Sequence, residues 1–123
     1  MGNNWKPIEY DKKLFYKIIN HEYTVDVVYE NETTIAFHWI NPVAPIHILV
    51  IPKQEIQTIN DIKINDIPLV GELVYVASRI ASELQIASDG YRLVFNVNDF
   101  GGQHIKHIHL HLLAGRSFNW PPG

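Results

Sequence analysis

The chain has 123 residues, 46% of them hydrophobic, and ten Lys plus Arg against thirteen Asp plus Glu leave a formal charge of −3. That length suits one domain burying roughly two thirds of its unfolded surface, and the acidic balance disfavours a nucleic-acid partner, whose phosphates call for a basic excess. The absence of cysteine excludes disulfides, thiolate metal sites and cysteine nucleophiles. No apolar run approaches the roughly 18 residues of a membrane span, and the start lacks a signal-peptide core, so a soluble cytoplasmic protein with no membrane association is expected.

Residues 1–10 are polar and contain proline, which reads as a flexible arm preceding a single domain over 11–123. Asp11 is placed to cap a short helix through Ile19 whose apolar positions include Leu14, Phe15, Ile18 and Ile19. Thr24–Tyr29 and Thr33–Trp39 are β-branched and aromatic runs separated by Glu30-Asn31-Glu32, the pattern of a hairpin. Beyond two proline breaks, His47–Ile51 is a nearly continuous apolar run closed by Pro52, as in a strand covered on both faces. From Ile67 to Leu84 the apolar spacing changes to three and four residues, which predicts the longest helix, with Pro68 in its first turn. Tyr91–Asn96 reads as a further strand and Asn98–Gly102 as a loop. The chain then enters a segment dense in histidine and ends in an irregular tail, Ser117–Gly123.

Within that segment His107, His109 and His111 alternate with Ile108, Leu110 and Leu112. In a strand, successive side chains point to opposite faces, so the three imidazoles share one face and the three aliphatics share the core face. Two chemistries fit. Paired imidazoles can hold zinc, although three same-face positions span about 13 Å, too far for one ion to reach both ends without a bend. Alternatively, one histidine attacks a phosphoryl centre while its neighbours orient it and handle protons. Gly101-Gly102-Gln103, just before the histidines, allows close backbone approach, so main-chain N–H groups there can hold phosphate oxygens. Periodicity alone leaves both chemistries open.

The run His107-Ile-His-Leu-His-Leu-Leu113 resembles the signature of the histidine triad (HIT) superfamily, His-φ-His-φ-His-φ-φ with φ apolar. Gly101-Gly-Gln-His-Ile-Lys-His107, Ala44–Lys53 and the Asn119-Trp-Pro-Pro-Gly123 ending are similar to its Hint branch, the purine nucleoside phosphoramidases. The resemblance implies an α+β fold with an antiparallel sheet of about five strands, one long and one short helix, and a sheet continued across a homodimer. It implies hydrolysis of the P–N bond of purine nucleoside 5′-phosphoramidates through a nucleotidyl-histidine, with no cofactor and no metal. His109 matches the nucleophile and His107 the residue that orients it. His111 and His47 match residues on the phosphate and sugar side, and Asn96 matches a phosphate-site amide beside Gly102 and Gln103. Phe37 and Ile40 match residues near the purine, and Trp120 one that reaches toward a partner protomer's site.

Three positions depart from the branch pattern. His104 stands where relatives carry Ser after Gly-Gln, which makes it a candidate to share proton transfer to the leaving amine or to narrow the pocket. Trp39 stands where they carry an Asp that binds the ribose hydroxyls, and an indole offers no acceptor there. Lys13-Leu-Phe-Tyr16 replaces a Cys-x-x-Cys pair capable of holding zinc. The competing readings are a dinucleoside polyphosphate hydrolase, as in the Fhit-like branch, and a nucleotide-binding or partner-binding module with weak catalysis.

Overall fold

In the computed structural model, residues 10–123 are described, and the proposed arm lies outside them except for Tyr10. The elements are α1 (Leu14–Ile19), β1 (Val27–Glu30), β2 (Thr34–His38), β3 (Ile46–Pro52), α2 (Ile67–Glu83), β4 (Arg92–Phe95), the single turn α3 (Asn98–Gly101) and β5 (Leu110–Ala114). Two short 3₁₀ turns, Ile59–Asp61 and Ile64–Asp66, lead into α2. The five strands form one sheet in the order β1-β2-β3-β5-β4, and every neighbouring pair is antiparallel. β3 therefore sits in the middle, and all its residues after Ile46 are buried.

Both helices bury their apolar side on this sheet, one on each face. On one face Leu73, Val76, Ala77 and Ile80 of α2 pack with Ile48, Val50, Ile108, Leu110 and Leu112. On the other, Leu14, Phe15 and Ile18 of α1 pack with Ile35, Phe37, Leu49 and Ile51. The period of two along β3 sends Ile48 and Val50 to one core and Leu49 and Ile51 to the other, which is why this strand reads as unbroken apolar sequence.

The hairpin turn lies at Asn31–Thr33, one residue beyond the expected position. There the Asn31 side-chain oxygen accepts the N–H groups of Thr33 and Thr34 at 2.9 and 2.8 Å. The Glu72 carboxylate of α2 accepts hydrogen bonds from Asn31, Thr33 and Thr34, joining this turn to the helix. α1 begins at Leu14, later than expected, because Asp11 spends its side chain on the Lys13 N–H at 2.8 Å and its carbonyl on Leu14.

The histidine segment is the main difference from the sequence reading. Regular pairing starts only at Leu110, so His111 lies in β5 while His107 and His109 precede it. The cause is a change of backbone partner: the His107 N–H bonds back to Ile105 and the Ile108 N–H reaches Ile56 in the loop after β3. The alternation of faces survives this irregularity, because Ile108, Leu110 and Leu112 all remain in the α2 core. Past β5, Gly115 turns the chain with φ +95°, and a Cβ there would lie 2.7 Å from Pro45 Cβ, so glycine is required at that position.

Candidate active site

A cavity of about 290 Å³ opens at the α1 side of the sheet where β3, β4 and β5 meet the loop after β4. His47, His104, His109 and His111 line it together with Asn96 and Gly102. The His109 and His111 rings are 5.0 Å apart between centroids, and the His47 and His111 rings 5.2 Å. The sheet explains the convergence, since His47 on β3 and His111 on β5 belong to directly paired strands.

The hydrogen-bond partners determine where each proton sits. His109 Nδ1 is 2.7 Å from the His107 carbonyl oxygen, which can only accept, so Nδ1 carries the proton. In a neutral ring this leaves Nε2 with its lone pair, which is the state an attacking imidazole requires. His107 is held in the same way, its Nε2–H donating to the Pro52 carbonyl at 2.7 Å. A second chain begins at the Val43 N–H, which donates to His47 Nδ1 at 3.1 Å. His47 must then carry its proton on Nε2, from which it donates to His111 Nδ1 at 2.9 Å. His111 is left with its proton on Nε2, and that atom is buried with no partner among the described residues. The result is a fixed lone pair on His109 beside an unused N–H donor on His111.

Burial keeps these rings neutral. It pushes His109 and His47 down to about 4 and His111 to about 3, with neighbouring histidines adding to the shift. Burial also lowers His107, against the Pro52 hydrogen bond and the Glu55 charge, which favour its protonated form. Phe15, 1% exposed, lies edge-on to both His107 and His109 with centroids 5.8 and 5.1 Å away, walling the nucleophile off from solvent on that side.

The HIT domain family matches residues 20–118. The chain is 45% identical over 106 residues to the purine nucleoside phosphoramidase of Escherichia coli K12, covering 86% of this chain and 89% of that protein. It superposes with a TM-score of 0.87 on the HIT family hydrolase of Legionella pneumophila, at 48% identity over 89% of this chain and 98% of that one. A histidine triad protein of Clostridium difficile gives a TM-score of 0.85 at 38% identity, over 91% and 97% of the two chains.

The chain belongs to the HIT family.

It is a hydrolase of that family with the five-stranded antiparallel sheet expected for it. Within this HIT protein not every residue singled out in the sequence reaches the cavity. Phe37 is fully buried in the α1 core and packs edge-on to Phe15, behind the cavity wall. Ile40, 43% exposed, and Trp120, 82% exposed, do not line the cavity of their own chain. Gln103 is a buried brace: its Oε1 accepts the Asn98 N–H, and its Nε2 donates to the Gln57 and Ile105 carbonyls. The N–H groups of Gly102 and Gln103 close the α3 turn on Asp99 and Asn98, so these two donors are consumed within the loop that was expected to offer them to phosphate. Trp39 does line the cavity. Among the described residues no three His, Asp or Glu side chains are grouped to hold a metal ion.

Tyr10, Asn41 and Val43 line the cavity without having been singled out in the sequence. Tyr10 packs on Trp39 at 5.2 Å and lies 6.3 Å from His104, and its hydroxyl accepts a hydrogen bond from Asn41 at 3.0 Å. An aromatic residue at the edge of a polar segment was the only available signal, because its partners Trp39, Asn41 and His104 are all distant in sequence.

Proposed function

We propose that this HIT hydrolase is a purine nucleoside phosphoramidase working through a nucleotidyl-histidine at His109. The observation that carries this reading is the fixed lone pair on Nε2 of the cavity-lining His109, whose neighbour in the cavity wall is His111 with its unpartnered N–H. The identity to the E. coli phosphoramidase supports the substrate class.

His109 Nε2 attacks the α-phosphorus, forming an N–P bond as the P–N bond to the amine breaks. The ring becomes cationic, and the His107 carbonyl, already accepting from Nδ1, stabilises that charge through its dipole. The His111 N–H donates to a phosphoryl oxygen without losing its proton, and Asn96 offers an amide from the β4 side. His104, which lines the cavity, supplies the proton that the leaving amine needs. Water then attacks phosphorus, His104 takes the water proton, and the N–P bond breaks to release nucleoside monophosphate and regenerate neutral His109. Trp39 replaces a ribose-binding carboxylate with an apolar surface, so the sugar hydroxyls receive less direct recognition here.

The same reading includes a cytoplasmic homodimer whose sheet continues across β4, the edge strand. The face of α2 carrying Val74 and Tyr75, 42% and 64% exposed, supports such an interface. Trp120 then belongs to the partner's site.

The test is steady-state hydrolysis of a fluorogenic adenosine 5′-phosphoramidate, with chelator present, by the wild type and His109→Ala. The wild type turns over, and the variant loses more than about 1000-fold while keeping its thermal midpoint. Turnover retained by His109→Ala would sink the covalent reading. Folded wild type that binds AMP without hydrolysing the phosphoramidate would instead indicate a binding module.

A further inference from the structure

A second and larger cavity, of about 440 Å³, opens between α1 and the segments flanking β3 and β5. It shares no lining residue with the first. Lys12, Lys13, Lys53 and Lys106 surround it, four of the chain's seven lysines, and among the described residues Glu55 is the only carboxylate that lines it. On a chain of formal charge −3 this is a pronounced local reversal of sign.

The four ammonium groups are unevenly engaged. Lys53 pairs with Glu30 at 2.8 Å, and Lys106 donates to the neutral Asn98 side chain at 2.8 Å. Among the described residues, Lys53 is the only one of the four in an ion pair. Collecting like charges around a concave surface with apolar walls such as Phe15 and Ile19 raises the local potential and attracts a counter-ion of high charge. Ammonium groups are point charges rather than planar forks, so they suit a ligand with several separated anionic oxygens better than a single carboxylate. The volume exceeds what one phosphate needs and lies within the range of about 300–1000 Å³ found for small-molecule sites.

We propose that this cavity binds a short oligophosphate chain, either free or as the tail of a nucleotide, at a site separate from the catalytic cavity. His107 joins the two sites: it is one of the residues lining the lysine cavity, and its carbonyl holds the proton of His109. An occupant therefore sits against the residue that orients the nucleophile. The proposal is independent of the phosphoramidase reading, because it needs no turnover.

The experiment is calorimetric titration of the purified protein with inorganic tripolyphosphate and, separately, with ATP. Each is run on the wild type, on Lys12→Gln/Lys13→Gln/Lys106→Gln, and on His111→Ala. The expected result is one saturable site per chain for tripolyphosphate, weakening with added salt. The lysine variant raises its Kd by at least about tenfold, and His111→Ala leaves it unchanged. Lysine-dependent binding of ATP that is tighter than that of tripolyphosphate assigns the nucleotide tail, and weaker or equal binding assigns the free chain. Lys12, Lys13 and Lys106 are exposed, so the variant keeps its thermal midpoint. No saturable binding of either probe, or lysine-independent binding that His111→Ala removes, would overturn the proposal.

Discussion

The two faces of the sheet are built from the same strands and do different work. On the α2 face, Ile108, Leu110 and Leu112 interlock with Leu73, Val76 and Ile80 in an entirely apolar core. On the α1 face the intervening positions are His107, His109 and His111, the first two edge-on to Phe15 and all three bonded to a carbonyl or to another ring. The contrast shows how a short segment serves both stability and chemistry without compromise: a period of two separates the duties, and each face can be perturbed alone.

The largest expected effect tests that independence. Leu112→Ala leaves a cavity in the α2 core and costs about 2–5 kcal/mol of stability, read as a lower denaturant midpoint, while activity per folded molecule stays close to wild type. A matching loss of specific activity would show that the two faces are coupled.

His47→Ala acts on the other face. Without the His47 donor, His111 is free to take the opposite tautomer, and the N–H that Nε2 of this cavity-lining ring carries is lost. Turnover then falls by about 100-fold with little change in KM, whereas a purely structural role would lower the folded fraction instead.

A third effect is on acid stability. In the folded protein His109 and His47 are depressed to about 4 and His111 to about 3, against about 6.5 in the unfolded chain. Between those values the unfolded state binds more protons, so the contribution of these rings is fully present above pH 6.5 and is lost as pH falls toward 4. Thermal midpoints measured from pH 7 to 4 should drop over that window. The drop should be shallower in His111→Asn, which has no imidazole to protonate. An equal slope in both proteins would assign the acid sensitivity elsewhere.

Much of this arrangement was legible in the sequence because it depends on periodicity. The alternation of histidine with Ile108, Leu110 and Leu112 assigned the two faces even though regular strand geometry begins only at Leu110. The late start was not legible, because it depends on Ile56, about 50 residues upstream, accepting the Ile108 N–H. Tyr10 was grouped with the arm for a similar reason: its place follows from Trp39 and Asn41, and nothing in its neighbours in sequence specifies that contact. Gln103 stood in a glycine-rich loop that suggested a ligand contact, yet its side chain bonds only to main-chain groups. Composition identifies a loop but does not say which way its side chains turn.

The partners of His107 and His109 are the peptide carbonyls of Pro52 and His107 itself. A peptide oxygen is present whatever side chain its residue bears, so no point substitution can delete either acceptor outright. The ring orientations are thus insulated from most sequence drift and vulnerable chiefly to displacement of the main chain. An inserted or deleted residue between Pro52 and Thr58, where the backbone also receives Ile108, would disturb the nucleophile more than most replacements of the side chains around it.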